Sequence, residues 1–179
     1  EGGAGANMLS PEMYERLLLL RSHGMIYQGN PKLQENHGGW YMELQELGYN
    51  YRMPDILCAL GISQLERATA GLARRREIAA RYDAVFADTP VRTHVPPSGI
   101  GHAYHLYVVE VDNRKALYDQ LRAAGIYAQV HYIPLHTMPY YQQLGHAKGD
   151  YPLAEAYYER CLSLPMYPTL TDEEQAYVI

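Results

Sequence analysis

The chain has 179 residues, 47% of them hydrophobic and 20% charged, the composition of an ordinary globular protein long enough to bury a proper core. A formal net charge of -5 argues against a general nucleic-acid binder, which needs a basic face for the phosphate backbone. There is no apolar run near ~20 residues and no opening secretory signal pattern, so neither a membrane span nor export is expected.

Taken in chain order, the Gly-rich opening "EGGAGAN" reads as strand or loop, and it lacks the spacing of a dinucleotide or P-loop fingerprint. "SPEMYERLLLLRSHG" reads as a helix: Ser10 as N-cap, Pro11 at the first helical position, Glu12 at the positive end, Gly24 as the stop. Residues 25–45 scatter Gly, Pro and Asn, which predicts a long loop. Pro54 and Asp55 open the next helix. Its apolar residues recur at three- and four-residue steps: Ile56, Ala59, Leu60, Ile62, Leu65, then Leu72, Ile78, Ala79, Tyr82, Val85 and Phe86. That pattern predicts one long helix, or two with a bend near Gly71. "RRRE" at 74–77 reads as a solvated helix face.

"DTPVRTHVPPSGIG" breaks the helical pattern and marks a boundary. "AYHLYVVEV" alternates and predicts a strand, "NRKALYDQLRAAGI" an amphipathic helix closed by Gly125, and "YAQVHYI" a second strand. "YPLAEAYYERCLSLP" is a helix leading into a short extended piece, and "TDEEQAYVI" starts a last helix at Thr171. The alternation of strand and helix from about residue 103 predicts a small α/β layer domain.

Cys58 and Cys161 lie far apart and in no CxxC pattern, which fits a reduced, cytoplasmic protein with two small buried apolar residues. The pair Asn50 and Arg52 stands just before a helix start, an amide and a guanidinium fork suited to phosphate or carboxylate oxygens; a loop cap and a structural ion pair explain them equally well. In "VHYIPLHTMPYY", His131, Tyr132, His136 and Tyr141 follow a strand end, where α/β folds collect ligand groups. The spacing of His131 and His136 matches no zinc signature, so hydrogen bonding to a polar substrate is preferred to metal, the alternative being a packed strand end. Trp40, the single tryptophan, follows two glycines and is placed either to stack on a base or sugar or to anchor its loop. The lysines Lys32, Lys115 and Lys148 sit in no pattern that suggests an activated amine.

The runs "EGGA", "YERLLLLRSHGM", "WYMELQELGYNYRMPDILCALGISQLERA", "RRREIAARYD", "HLYVVEVDNRKALYDQLRAAGIYAQVHYIPLH" and "LSLPMYP" are collinear with, and together resemble, the DegT/StrS-type sugar-nucleotide aminotransferases. "RSHGM" and "ELGYNYRM" lean toward the members that aminate the 4-keto carbon of a UDP-linked 4-keto-6-deoxy-N-acetylhexosamine on the route to pseudaminic acid. The resemblance implies the C-terminal part of a pyridoxal 5'-phosphate transferase of the aspartate-aminotransferase type: α/β, a remnant of the large domain over 1–55, a connecting helix over 56–90 and a small C-terminal domain over 91–179. It implies a homodimer with shared active sites, L-glutamate as amino donor and a UDP-sugar as acceptor. Asn50 then contacts the cofactor phosphate of the partner copy, with Arg52 supporting that loop or an anionic group. Trp40, His131, Tyr132 and His136 border the sugar-nucleotide pocket.

The same resemblance places the Schiff-base lysine upstream of Glu1, and no catalytic residue is assigned within the chain. The sequence opens without Met and stops inside a helical pattern, which suggests a piece of a longer protein. Gly5 and Ala6 stand where larger apolar strand residues are expected. Two other readings stay open: an aminotransferase of the same family acting on another ketosugar, and a non-catalytic binding or regulatory relative.

Overall fold

A computed structural model describes residues 10–35 and 37–179; the Gly-rich opening, with Gly5 and Ala6, lies outside them, as does Asn36 of the Trp40 stretch. The chain divides into two compact units, Glu1–Glu66 and Arg67–Ile179.

In the first unit, α1 (Pro11–Leu20) starts as expected: Ser10 Oγ accepts from the Met13 amide, Pro11 sits in the first turn, and Glu12 faces the helix's positive end. Gly24, at φ 69°, closes it with its amide on Leu19 O at 3.0 Å. The stretch expected to be a long loop instead contains an antiparallel pair, β1 (Met25–Tyr27) with β2 (Met42–Leu44), in the register Met25↔Leu44, Ile26↔Glu43, Tyr27↔Met42. The strands are three residues each, too short to show a period of two against the Gly, Pro and Asn between them.

The next helix, α2 (Asp55–Phe86), is continuous through Gly71 and passes from the first unit into the second. Gly71 faces the Pro168 ring, where an added Cβ would make ordinary contact with Cγ at 3.4 Å, so the glycine costs helix propensity without breaking the helix. The two ends of α2 differ. Ile78, Ala79 and Tyr82 are buried, whereas Ile56, Leu60, Ile62 and Leu65 are exposed. The apolar period that marks the helix therefore does not mark a core at its N-terminal end.

In the second unit the sheet is antiparallel, in the order β3 (Arg92–Thr93), β4 (Tyr107–Glu110), β5 (Cys161–Leu164). β3 lies inside the Pro-rich stretch expected to be only a boundary: two residues suffice to pair Arg92 with Glu110 and Thr93 with Val109. β4 alternates as predicted, burying Tyr107 and Val109. β5 is buried along its whole length. The expected strand "YAQVHYI" is reduced to one rung, where Gln129 and Ser163 exchange backbone hydrogen bonds of 3.1 and 2.7 Å; the residues after it form no further ladder.

Three helices complete the unit's regular frame. α3 (Arg114–Ala123) starts on the Asn113 side chain and stops at Gly125, φ 76°. α5 (Pro152–Arg160) runs into β5, and α6 (Asp172–Val178) begins with a full capping box between Thr171 and Glu174. A 3₁₀ turn at Leu135–Thr137 and the short α4 (Pro139–Gln143) were not foreseen. The core joins Ile78, Ala79 and Tyr82 of α2 to Tyr107, Val109, Leu162 and Leu164 of the sheet, with Leu117 and Leu121 of α3 and Val178 of α6 packed against it. Among the described residues no helix is long and apolar enough to cross a membrane.

Candidate functional site

The position of Asn50 is set by two glycines. A Cβ on Gly24 would stand 1.7 Å from Glu46 O, and one on Gly48 would stand 2.3 Å from Gly24 N. Only hydrogen at both sites lets the backbone after α1 lie directly on the backbone of residues 46–50. Three hydrogen bonds then cross the contact: Tyr49 N to Leu20 O at 2.7 Å, His23 N to Tyr49 O at 2.9 Å and Tyr51 N to Arg21 O at 3.0 Å. Asn50 sits opposite Ser22 as an isolated antiparallel bridge.

The Tyr49 and Tyr51 rings stack at 4.9 Å with 12° between planes. Alternate residues of an extended chain share a face, so Asn50 and Arg52 point the other way from this pair. Both side chains are exposed, and neither is hydrogen-bonded among the described residues. An amide and a guanidinium two residues apart and free of other partners are donors of the kind a phosphate group such as that of pyridoxal phosphate can use.

Trp40 is 78% exposed, and its ring lies over Gly38, where an added Cβ would come within 2.6 Å of Cη2. The tyrosine after it, Tyr41, packs its ring on His37 at 4.7 Å and donates its phenol to Glu43 Oε1 at 3.0 Å. Glu43 reverses the usual pattern of a strand. Met42 and Leu44 are exposed while Glu43 is half-buried beside the buried Ile26. The carboxylate tolerates that place because it is well supplied with donors: the Gln34 amide (2.9 and 3.0 Å to its two oxygens), the Glu35 amide (3.1 Å) and Gln45 Nε2 (3.1 Å). The Gln34 amide first, with the other donors, holds its pKa below the ordinary carboxylate value against the opposing effect of desolvation. Desolvation, followed by the Glu43 carboxylate, pushes the Tyr41 phenol up.

In the second unit His131 is half-buried, with Nδ1 at 2.8 Å from Ser163 Oγ, and its ring meets Tyr132 edge-on at 4.7 Å. Tyr132 is 74% exposed. His136 is a different case. It is buried, with Nε2 at 2.7 Å from Glu155 Oε1, and Tyr151 packs edge-on against it at 4.9 Å. Glu155 also accepts from the Gly149 amide at 2.6 Å, and its pKa is lowered, chiefly by the His136 hydrogen bond. The structure thus places Asn50, Arg52 and Trp40 in the first unit and His131, Tyr132 and His136 in the second. His131 and Tyr132 are neighbours; His136 is spent on a tie between its 3₁₀ turn and α5. Among the described residues no group of three or more His, Cys, Asp or Glu is arranged to hold a metal ion.

Sequence reasoning passed over Glu43, Gly48 and Ser163. Glu43 carried a faint signal, an acid between Met42 and Leu44 where strand alternation asks for one face of each kind. Gly48 and Ser163 carried none, since both matter through residues far along the chain.

The chain belongs to the DegT/DnrJ/EryC1/StrS aminotransferase family, whose pattern matches residues 1–179. The Bacillus subtilis spore coat polysaccharide biosynthesis protein SpsC is 39% identical over 176 residues, 91% of this chain and 44% of that protein. A Helicobacter pylori UDP-4-amino-4,6-dideoxy-N-acetyl-beta-L-altrosamine transaminase is 35% identical over 179 residues, 97% of this chain and 45% of that enzyme. The PMP form of Spr1654 from Streptococcus pneumoniae matches at a TM-score of 0.86 and 32% identity, covering 97% of this chain and 45% of that one; the PLP form of the same protein matches at 0.84. The mixed helix and sheet expected from the sequence is thus the fold of solved family members. The chain spans somewhat less than half the length of these relatives.

Proposed function

We propose that this chain is part of a pyridoxal-phosphate aminotransferase that moves the amino group of L-glutamate to the 4-keto carbon of a UDP-linked 4-keto-6-deoxy-N-acetylhexosamine. The keto oxygen of the sugar is replaced by the amine, and glutamate leaves as 2-oxoglutarate. The observation that carries the reading is the unpartnered donor face of Asn50 and Arg52 in a chain that matches the family from end to end. The 35% identity to the altrosamine transaminase supports the choice of acceptor.

When bound, the cofactor carries the amino group between donor and acceptor and delocalises the negative charge that builds on the reacting carbon. This chain's residues bind and orient. The Asn50 amide donates to a phosphate oxygen, and Arg52 offsets the phosphate charge. On the homodimer reading, Asn50 serves the site of the partner copy. Trp40 of the first unit offers a flat apolar face to a base or sugar. In the second unit the Tyr132 phenol and the half-open His131 ring offer hydrogen bonds to sugar hydroxyls. His136 borders the pocket as a fixed wall, since its ring nitrogen is already held by Glu155. On this reading none of Lys32, Lys115 and Lys148 bonds the cofactor covalently.

To test the reading, the full-length protein is given pyridoxal phosphate, L-glutamate and a panel of nucleotide ketosugars, and amination is followed by mass spectrometry. Amination of the UDP-4-keto-6-deoxy-N-acetylhexosamine is expected; no amination of any nucleotide ketosugar would sink the proposal. A second reading, action on another ketosugar, is favoured by the 39% identity to SpsC, and the same panel separates the two.

A further inference from the structure

Among the described residues of the segment that presents Trp40, no apolar side chain is fully buried, and only Leu33 and Tyr41 at its ends are half-buried. Trp40 and Met42 are exposed, Glu35 and His37 are exposed, and Gly38 and Gly39 bring no side chain. Among the described residues, one carboxylate gathers most of its side-chain ties. Glu43 sits on β2 opposite the buried Ile26 and receives the amides of Gln34 and Glu35 from one side and the Tyr41 phenol from the other. Donors that precede Trp40 and a donor that follows it therefore converge on a single acidic group.

The arrangement runs against the ordinary logic of a strand. With Met42 and Leu44 outward and an acid inward, the hairpin forgoes two apolar anchors for a half-buried charge. The Gln34 and Glu35 amides and the Tyr41 phenol all reach the same oxygen, Oε1, while Oε2 accepts from the Gln34 amide and Gln45 Nε2; an apolar side chain of similar size could fill the space but would leave every one of these donors without an acceptor. The chemistry therefore calls for an acceptor oxygen at the end of this side chain. Glu35 and His37 pair with each other beside it, so the Glu35 charge has its own partner.

We propose that Glu43 is a positioning residue: its carboxylate pins Gln34, Glu35 and Tyr41 and so fixes the Trp40 ring in the orientation from which it stacks on the ligand. The ring itself rests on Gly38. The stacking half of the proposal rests on the reading of Trp40 under Proposed function; the pinning half does not.

The test uses full-length Glu43→Leu and Glu43→Gln, with Trp40→Phe as the blank that isolates the emission of Trp40. In Glu43→Leu the amides of Gln34 and Glu35 exchange hydrogen faster, and the sub-nanosecond depolarisation of Trp40 grows in amplitude. The melting temperature stays within a few degrees of the parent. KM for the nucleotide sugar rises by about tenfold, the scale of one aromatic stack loosened, while kcat falls much less. Glu43→Gln, which keeps an oxygen in the place of Oε1, reverses most of each effect. Unchanged exchange and depolarisation in Glu43→Leu would overturn the pinning. Faster exchange and freer Trp40 with unchanged KM would keep the pinning and instead remove Trp40 from the pocket, a failure of the functional reading that this outcome tells apart.

Discussion

Gly48→Ala offers the sharpest test of how Asn50 is held. The new methyl would stand 2.3 Å from Gly24 N, 2.6 Å from His23 C and 2.7 Å from Leu20 O, where ordinary contact begins at 3.4 Å. All three atoms are backbone, so no rotamer relieves the clash, and the segment must retreat by about 1 Å. The hydrogen bonds across the contact are now 2.7, 2.9 and 3.0 Å, and a retreat of that size takes them beyond useful length. Each contributes about 0.5–1.5 kcal/mol net. With strain from whatever retreat is incomplete, about 1–3 kcal/mol, the substitution should cost roughly 3–5 kcal/mol. Urea unfolding of the full-length protein measures the cost, and absorbance of the retained cofactor reports whether Asn50 has moved with its segment. Gly61→Ala is the control: it lies within α2, an added Cβ meets nothing within 4 Å, and helix propensity predicts a gain of up to about 1 kcal/mol. A Gly48→Ala protein with the parent's unfolding midpoint and cofactor affinity would refute the reasoning.

Asn50→Ala in the full-length protein should weaken cofactor retention by about 1–3 kcal/mol, the scale of one hydrogen bond to a charged phosphate, measured by equilibrium dialysis. Leu162→Ala removes a fully buried side chain from β5 and should lower stability by about 3–5 kcal/mol by denaturant titration. Gln175 is fully buried with Nε2 on Ile78 O at 2.9 Å but with Oε1 unpartnered among the described residues; Gln175→Met exchanges that lone carbonyl for a thioether and should fall within about 1 kcal/mol of the parent. Because the folded state lowers the pKa of Glu155, its tie to His136 adds stability that is complete above the ordinary carboxylate value of 4.5 and fades as pH falls through the lower folded value. The acid limb of a stability–pH profile should therefore flatten in Glu155→Gln, and an unchanged limb would remove Glu155 from acid unfolding.

Much of this architecture is written locally. The N-cap Ser10, the helix start at Thr171, the stops at Gly24 and Gly125 and the alternation of β4 are set by residues a few positions apart, so spacing alone exposes them. Short pairings escaped for the opposite reason. β1, β2 and β3 are two or three residues long and owe their existence to partners elsewhere in the chain, so composition read them as loop or boundary. The donor face of Asn50 and Arg52 was legible as residue types, but its freedom from other partners was not. His136 was legible as a ring with two nitrogens, yet only the fold brings Glu155 to one of them.

Residue order alone carries the resemblance to the family, and it yields the longer helices with their caps and stops and the pairing of an amide with a guanidinium ahead of α2, because those local features depend on chemistry at short intervals. The tertiary structure alone decided that Gly24 and Gly48 must both lack a side chain, that an acid rather than an apolar residue faces inward on β2, and that the N-terminal end of α2 carries exposed isoleucine and leucine. Each is a matter of which distant atoms come within a few ångströms, and distance through space is what linear order leaves unstated.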